Sequence, residues 1–263
     1  MRGKQAYHQH WKVFIREDIN IPDEALPMDN NEIAKRGRST MQSGYKYKTV
    51  IAGLMLAATT VASHAAFAND QGDLLVRGRI INVNPNDSSG AVSTIGGSGV
   101  TVDGKSTVEL DFTYMVRPNI GLELILATTK HDIKGDGTIS ALGKVGETGV
   151  LPPTLTAQYH FAPKASIRPY AGLGINYTLF YGAKTSSSLD GALGSTSISL
   201  DNSFGLAAQA GVDIDINKDW FMNLDLKYIN ISTTAHLDST GTQRTVDVDI
   251  NPWVLGIGIG KAF

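Results

Sequence analysis

Between Ser203 and Ile216 the sequence alternates without interruption. Phe204, Leu206, Ala208, Ala210, Val212, Ile214 and Ile216 are apolar, while Ser203, Gly205, Ala207, Gln209, Gly211, Asp213 and Asp215 between them are small or polar. Successive side chains of a β-strand point to opposite faces, so a period of two makes one apolar face and one polar face. A helix would scatter the same residues around its circumference and gather neither set. A chain built from such segments must pair every strand edge and must find an apolar environment for one face only.

Seven further segments carry the pattern. Val108, Leu110, Phe112 and Tyr114 alternate with Glu109, Asp111 and Thr113, and Leu122, Leu124 and Leu126 with Glu123. Leu155, Ala157, Tyr159 and Phe161 oppose Thr156, Gln158 and His160, and Leu173, Ile175 and Tyr177 oppose Gly172, Gly174 and Asn176. Trp220, Met222, Leu224, Leu226 and Tyr228 oppose Asn223, Asp225 and Lys227. The last segment sets Trp253, Leu255, Ile257, Ile259 and Phe263 against Gly256, Gly258 and Gly260. The first, over 73–83, sets Leu74, Val76 and Ile80 against Arg77 and Arg79. Short turns at 117–119, 162–166 and 217–219 alternate with long Gly/Ser/Thr/Asp-rich stretches at 84–106, 129–149, 182–198 and 231–246. Tight turns at one end and four long loops at the other describe an antiparallel up-and-down meander of eight strands.

Alternation does not say which face is inside. A soluble barrel buries its apolar face, and a membrane barrel turns it outward. The strands are long enough to span a bilayer when tilted. Aromatic residues (Tyr159, Phe161, Tyr177, Tyr181, Trp220 and Trp253) cluster near strand ends, where membrane interfaces hold them. The opposite face carries glycine and charges of both signs, which a narrow lumen can pair and a lipid face cannot. The predicted fold class is therefore all-β, an eight-stranded antiparallel up-and-down transmembrane β-barrel. With no cysteine, thiol catalysis and disulfide scaffolds are excluded. The formal charge of −2 leaves no nucleic-acid footprint.

The front of the chain differs from the rest. Residues 1–68 hold nine Lys/Arg against six Asp/Glu, and the remainder fourteen against nineteen. Lys46 and Lys48, an apolar run from Val50 to Leu56, and Ala66-Phe67-Ala68 follow the layout of a secretory signal peptide. The expected leader is 41–68, with Met41 as its start, and cleavage follows Ala68. Residues 1–40 are then an upstream extension or a mis-assigned start, and the barrel occupies 69–263. An exported barrel ending in Phe263 belongs in the outer membrane of a Gram-negative cell. Outer-membrane lipid is an expected partner, as is the barrel-assembly machinery through the strand that ends in Phe263.

Five stretches, in this order and spacing, resemble the outer membrane protein W (OmpW) family: FTYMVRPNIGLELILAT at 112–128, LPPTLTAQYHF at 151–161, RPYAGLGINYTLFY at 168–181, SFGLAAQAGVDIDINKDWFMNLDLKYI at 203–229 and NPWVLGIGIGKAF at 251–263. The resemblance covers the mature chain essentially end to end. It implies an eight-stranded outer-membrane barrel with a narrow, largely apolar channel, acting in the passage of small hydrophobic molecules. Lys261 departs from the pattern, because an aromatic is usual two residues before the end; its stem can snorkel to the headgroups.

Strand parity places the candidate functional residues. Arg77, Arg79, Glu109, Asp111 and Glu123 face the lumen, as do Asp213, Asp215, Asp225 and Lys227. An interior of eight strands is just wide enough for side chains, so these read as an ion network filling the barrel rather than an ion-selective pore. Ile125 and Ala127 end the third strand, Ile229 and Ile231 the seventh, and Val248, Ile250 and Val254 begin the eighth. They face inward at the long-loop end and predict an apolar pocket for a small hydrophobic solute. Pro152 and Pro153 begin the fourth strand. Proline lacks an N–H, so pairing with the third strand should weaken there and permit a sideways opening into lipid. No nucleophile–base–carboxylate set and no histidine pair with metal-ligand spacing is visible, so neither catalysis, metal nor cofactor is expected. A structural or receptor/adhesion barrel acting through its four extracellular loops is the alternative function. A lipid-modifying enzyme at the outer rim, built on His131 or His236, is a distant third.

Overall fold

The structure, a computed structural model, describes residues 69–263. The expected leader (41–68) and the segment before it (1–40) lie outside the described residues. Eight strands form the barrel: β1 (Leu74–Asn84), β2 (Lys105–Arg117), β3 (Ile120–Ala127), β4 (Thr154–His160), β5 (Ile167–Thr185), β6 (Ser203–Asp215), β7 (Trp220–Ile229) and β8 (Trp253–Ala262). Each pairs antiparallel with its sequence neighbours. β8 returns to β1, with Leu75 opposite Ala262 at one end and Asn84 opposite Trp253 at the other. Closure leaves no edge, which is what lets a sheet stand in hydrocarbon.

The face question is settled by burial. Leu173 and Phe204 are 73% and 67% exposed, whereas Arg77, Asp111 and Asp213 are 0% exposed. The greasy stripe is outside, as a bilayer requires. Aromatic pairs mark its borders: Tyr159 and Phe161 meet edge-on at the tight-turn end, and Tyr228 and Trp253 lie 5.1 Å apart at the other. Lys261 points outward, its ammonium 5.0 Å from the Phe263 ring and 5.9 Å from that of Trp220.

At the narrow end, Asn217 Oδ1 accepts from the amides of Asp219 and Trp220 and fixes the β6–β7 turn. Inward of Val254 on β8 come Gly256, Gly258 and Gly260, where the neighbouring strand and the packed lumen leave little room for a side chain. A Cβ on Gly258 would lie 2.1 Å from the Gly78 carbonyl oxygen, and one on Gly260 2.4 Å from the Phe221 ring.

The long connections correct the sequence reading. Rather than irregular loops they are largely strand. Ser98–Val102, Thr129–Gly137 and Lys144–Leu151 continue the wall outward beside the upper part of β5. Thr196–Leu200, Ser232–Ser239, Thr242–Asp249 and Ser88–Ser89 form a second sheet, and a short helix, α1 (Ser187–Leu193), adds Leu189 to the interior. His131 and His236 therefore sit on strands. Val248 belongs to the Thr242–Asp249 strand rather than to β8, Ile250 and Ile231 lie in the links, and the prolines precede β4. The boundaries misled because Ser, Thr and Asp dominate the outward face, while the inward face carries short apolar sets such as Ala235 with Leu237 and Val246 with Val248.

Candidate functional site

The lumen is layered. At the tight-turn end Leu75, Met115 and Phe221 form a small apolar cluster. Beside it the Asn69 amide side chain meets His160 Nδ1 at 3.2 Å, and its backbone N–H donates to the Pro163 carbonyl. Above this floor comes the ion layer. Arg77 holds Asp213 in a fork, Nε to Oδ1 at 3.1 Å and Nη2 to Oδ2 at 2.8 Å, and reaches Asp111 at 3.0 Å. Arg79 donates from Nε to Glu109 at 2.7 Å and lies 2.7 Å from Asp111 through Nη2. Lys227 bridges Glu109 and Asp225 at 2.8 and 2.5 Å.

Glu123 accepts from Thr156 and Gln209. Asp215 sits lower, bonded to Arg168 at 2.5 Å. All nine charges expected inside are thus in the lumen. Sequence reasoning missed Arg168, which is fully buried, and Tyr170, whose hydroxyl donates to Asp225. The parity of β5 carried that signal, since Arg168 and Tyr170 share a face with Gly172 and Gly174. These charged and polar side chains meet across the axis and fill the waist of the barrel.

Outward of the ions the interior turns apolar. Ile125, Ile229, Ile231, Val248, Ile250 and Val254 are buried, and with Ala127 they line one internal cavity with about 100 Å³ of free volume. The structure brings together all seven residues expected there. It adds Ile81 and Val83 from β1 and residues of the outer extension, among them Val100, Ile133, Leu189 and Leu237. The residues of the extension were missed because it was read as loops, whereas Ile81 and Val83 share the parity of Arg77 and Arg79 on β1. Polar wall positions are few; His131, Thr129 and Thr148 are among them.

The wall beside this cavity is discontinuous. Pairing of β3 with β4 ends at Ile125 opposite Thr154 and resumes only where Thr129 faces Val150. Residues 126–128 and 151–153 have no ladder between them. Pro152 and Pro153 lean the other way, their carbonyls accepting from Asn176 Nδ2 and that of Pro153 also from the Tyr177 amide.

A closed eight-stranded barrel, apolar outside, ion-paired across its waist and apolar again in its outer cavity, is a small β-barrel of the outer-membrane type. The OmpW family model matches residues 70–263. The chain is 39% identical to outer membrane protein W of Vibrio cholerae serotype O1 over 219 residues, covering 82% of this chain and 100% of that protein. It is 28% identical over 171 residues, 64% of this chain and 76% of the relative, to the dibenzothiophene metabolism operon protein PahQ of Pseudomonas aeruginosa. Among solved structures it resembles the outer membrane protein OprG of Pseudomonas aeruginosa, with a TM-score of 0.71, 32% identity, and coverage of 75% of this chain and 99% of that one. The chain belongs to the OmpW family and is a protein of the bacterial outer membrane.

Proposed function

We propose that the barrel is a narrow channel for passive passage of small hydrophobic molecules, which enter the outer cavity and leave sideways into the membrane. The observation that carries this reading is the juxtaposition of an apolar cavity with an ion layer directly beneath it. An apolar solute gains roughly 25 cal/mol per Å² of surface removed from water in the cavity. It would have to displace buried ion pairs to go further down the axis, at a cost of several kcal/mol per uncompensated charge. The interrupted pairing at Pro152 and Pro153 offers the remaining way out. That one relative is named for dibenzothiophene metabolism, a sulfur-containing aromatic, supports a solute of this kind.

The test is binding and uptake of an apolar fluorophore by Ile125→Asp and Ile250→Asp. A carboxylate in this pocket should weaken both by roughly ten-fold or more. Unchanged binding in variants that still show heat-dependent mobility in SDS would remove the pocket and leave the four-loop receptor or adhesion reading. The same proposal keeps the assembly machinery as partner of the last strand, where Phe263 exchanges backbone hydrogen bonds with Leu74 and leaves its ring exposed.

A further inference from the structure

The outer surface of the barrel is charged unevenly. Beyond the apolar band the described residues carry six cations. Five of them, Lys105, Lys130, Lys134, Lys144 and Lys184, lie on the side built by the start of β2, the Thr129–Gly137 and Lys144–Leu151 strands and the end of β5. The second sheet has Arg244 alone beside Asp238, Asp247 and Asp249. On the lysine side lies an external cleft of about 270 Å³, bordered by Lys105, Ser106, Thr107, Thr128, Lys130 and Tyr181. Register sets its height. Lys105 stands opposite Val83, and Val83 opposite Val254, the neighbour of Trp253 in the outer aromatic border. The cleft is therefore at the headgroup level of the outer leaflet. Below it Val108, Leu110, Leu124 and Leu126 are exposed on the outer face of the wall.

One row of the wall backs this cleft. Lys130 pairs with Gly149, and Gly149 with Tyr181. With no side chain at 149, the Tyr181 ring lies flat across that position; a Cβ there would sit 2.5 Å from the ring. The Tyr181 hydroxyl is 2.6 Å from Thr128 Oγ1, which is 3.3 Å from the Val150 carbonyl. A carbonyl only accepts, so Thr128 donates to Val150 and Tyr181 donates to Thr128. The ring is thus fixed at its root and at its tip, while Tyr181 remains 45% exposed. The carboxylates nearby are engaged: Lys105 holds Asp103 and Asp132, and Lys144 holds Asp132 and Glu147. Lys130 is exposed and makes no ion pair among the described residues.

We propose that this cleft is a binding site, on the lipid side of the wall, for the phosphorylated sugar head of an outer-leaflet glycolipid. The ammonium groups of Lys105 and Lys130 take phosphate oxygens as compact point charges. The fixed face of Tyr181 takes the C–H edge of the sugar ring, because the face of an aromatic ring is the electron-rich side. The hydroxyls of Thr107 and Tyr181 already donate within the wall and keep lone pairs that accept from the sugar's O–H groups. The acyl chains then run down over Val108, Leu110, Leu124 and Leu126, where they cover apolar surface. A glycerophospholipid would use the lysines and the leucines and leave the ring idle. Nothing in this site depends on what the internal cavity receives.

The experiment uses the whole processed protein in detergent micelles and native mass spectrometry, with diphosphoryl lipid A and phosphatidylglycerol as probes. The native protein should retain lipid A in preference to phosphatidylglycerol. Lys105→Gln and Lys130→Gln should each weaken lipid A binding about three-fold, the worth of one exposed charge pair. Lys134→Gln, on the same sheet but outside the cleft, should leave it unchanged. Tyr181→Val should weaken lipid A binding by about three-fold and leave phosphatidylglycerol unaffected. Variants are compared when they keep native heat-dependent mobility in SDS, and Lys130, which has no ion pair to lose, carries the decision. Unchanged lipid A binding in Lys130→Gln overturns the site. An equal loss in Lys134→Gln overturns it in favour of diffuse surface charge. Equal or better retention of phosphatidylglycerol, or indifference of lipid A to Tyr181→Val, overturns the sugar as the recognised group. Binding of an apolar fluorophore in the cavity should be the same in all these variants, so failure here and failure of the transport reading are separate results.

Discussion

β1 passes through both halves of the lumen, and its inward side chains contrast them: Leu75 on the floor, Arg77 and Arg79 in the ion layer, then Ile81 and Val83 in the cavity. β7 repeats the order with Phe221, Asn223, Asp225, Lys227 and Ile229. Along both strands the backbone is the same regular ladder throughout. What changes is how the interior is filled. Near the tight turns the space is closed by long charged side chains bonded to one another across the axis, which makes a rigid crossbar. Toward the long connections it is lined by branched aliphatic residues with no directional bonds, and space remains. The proposed function rests on this difference: one half is filled by bonded charges, and the other keeps about 100 Å³ of free apolar space.

The largest expected effect lies in the crossbar. Arg77→Ala strips the forked partner from buried Asp213 and one of two arginines from Asp111, and should cost about 3–5 kcal/mol of barrel stability in urea titrations from lipid or detergent. A loss under 1 kcal/mol would mean that water already reaches these groups and that the two halves differ less than their burial says. Next comes the cavity. Ile250→Asp, tested as above by fluorophore binding, should lose roughly ten-fold or more in affinity while leaving the ion layer untouched. An equal loss from both substitutions in both assays would erase the distinction between a structural half and a receiving half.

A smaller effect is expected at the seam. Pro152→Ala combined with Pro153→Ala restores two N–H donors beside β3 and should reduce apolar-probe uptake about two- to five-fold as pairing extends. Unchanged uptake would take the prolines out of the route. Smallest of all is the exposed ion cluster of the outer extension. Lys144 lies 2.6 Å from Asp132 and 2.7 Å from Glu147, and its hydrogen bonds hold both carboxyls below their usual range. A depressed carboxylate stabilises the folded state above its ordinary pKa, and that contribution fades as pH falls through the lowered value. The hairpin should therefore be indifferent to pH down to about 4 and loosen only below it. NMR titration should place both midpoints under about 3.9 and 4.3, and Lys144→Met should return them there. Ordinary midpoints in the native protein would show that pairing at the surface, unlike pairing in the lumen, does nothing here.

The alternating pattern by itself determined the eight strands of the barrel and sorted the residues of each into two faces, because a period of two is a local property of the backbone. Parity also assigned Arg77, Asp213 and Ile125 to the interior, since closing a sheet does not change which way a side chain points. Three things were decided only by the tertiary structure. The long connections became wall because strands such as Ser232–Ser239 carry only a short apolar set, Ala235 and Leu237, and are paired on one side with Thr196–Leu200, which is distant in sequence. The partners within the ion layer depend on which strands lie across the axis: Arg77 on β1 meets Asp213 on β6, a pairing that no spacing encodes. The break between residues 126–128 and 151–153 depends on where pairing stops, and register between strands is fixed by packing around the whole circumference rather than by either strand alone.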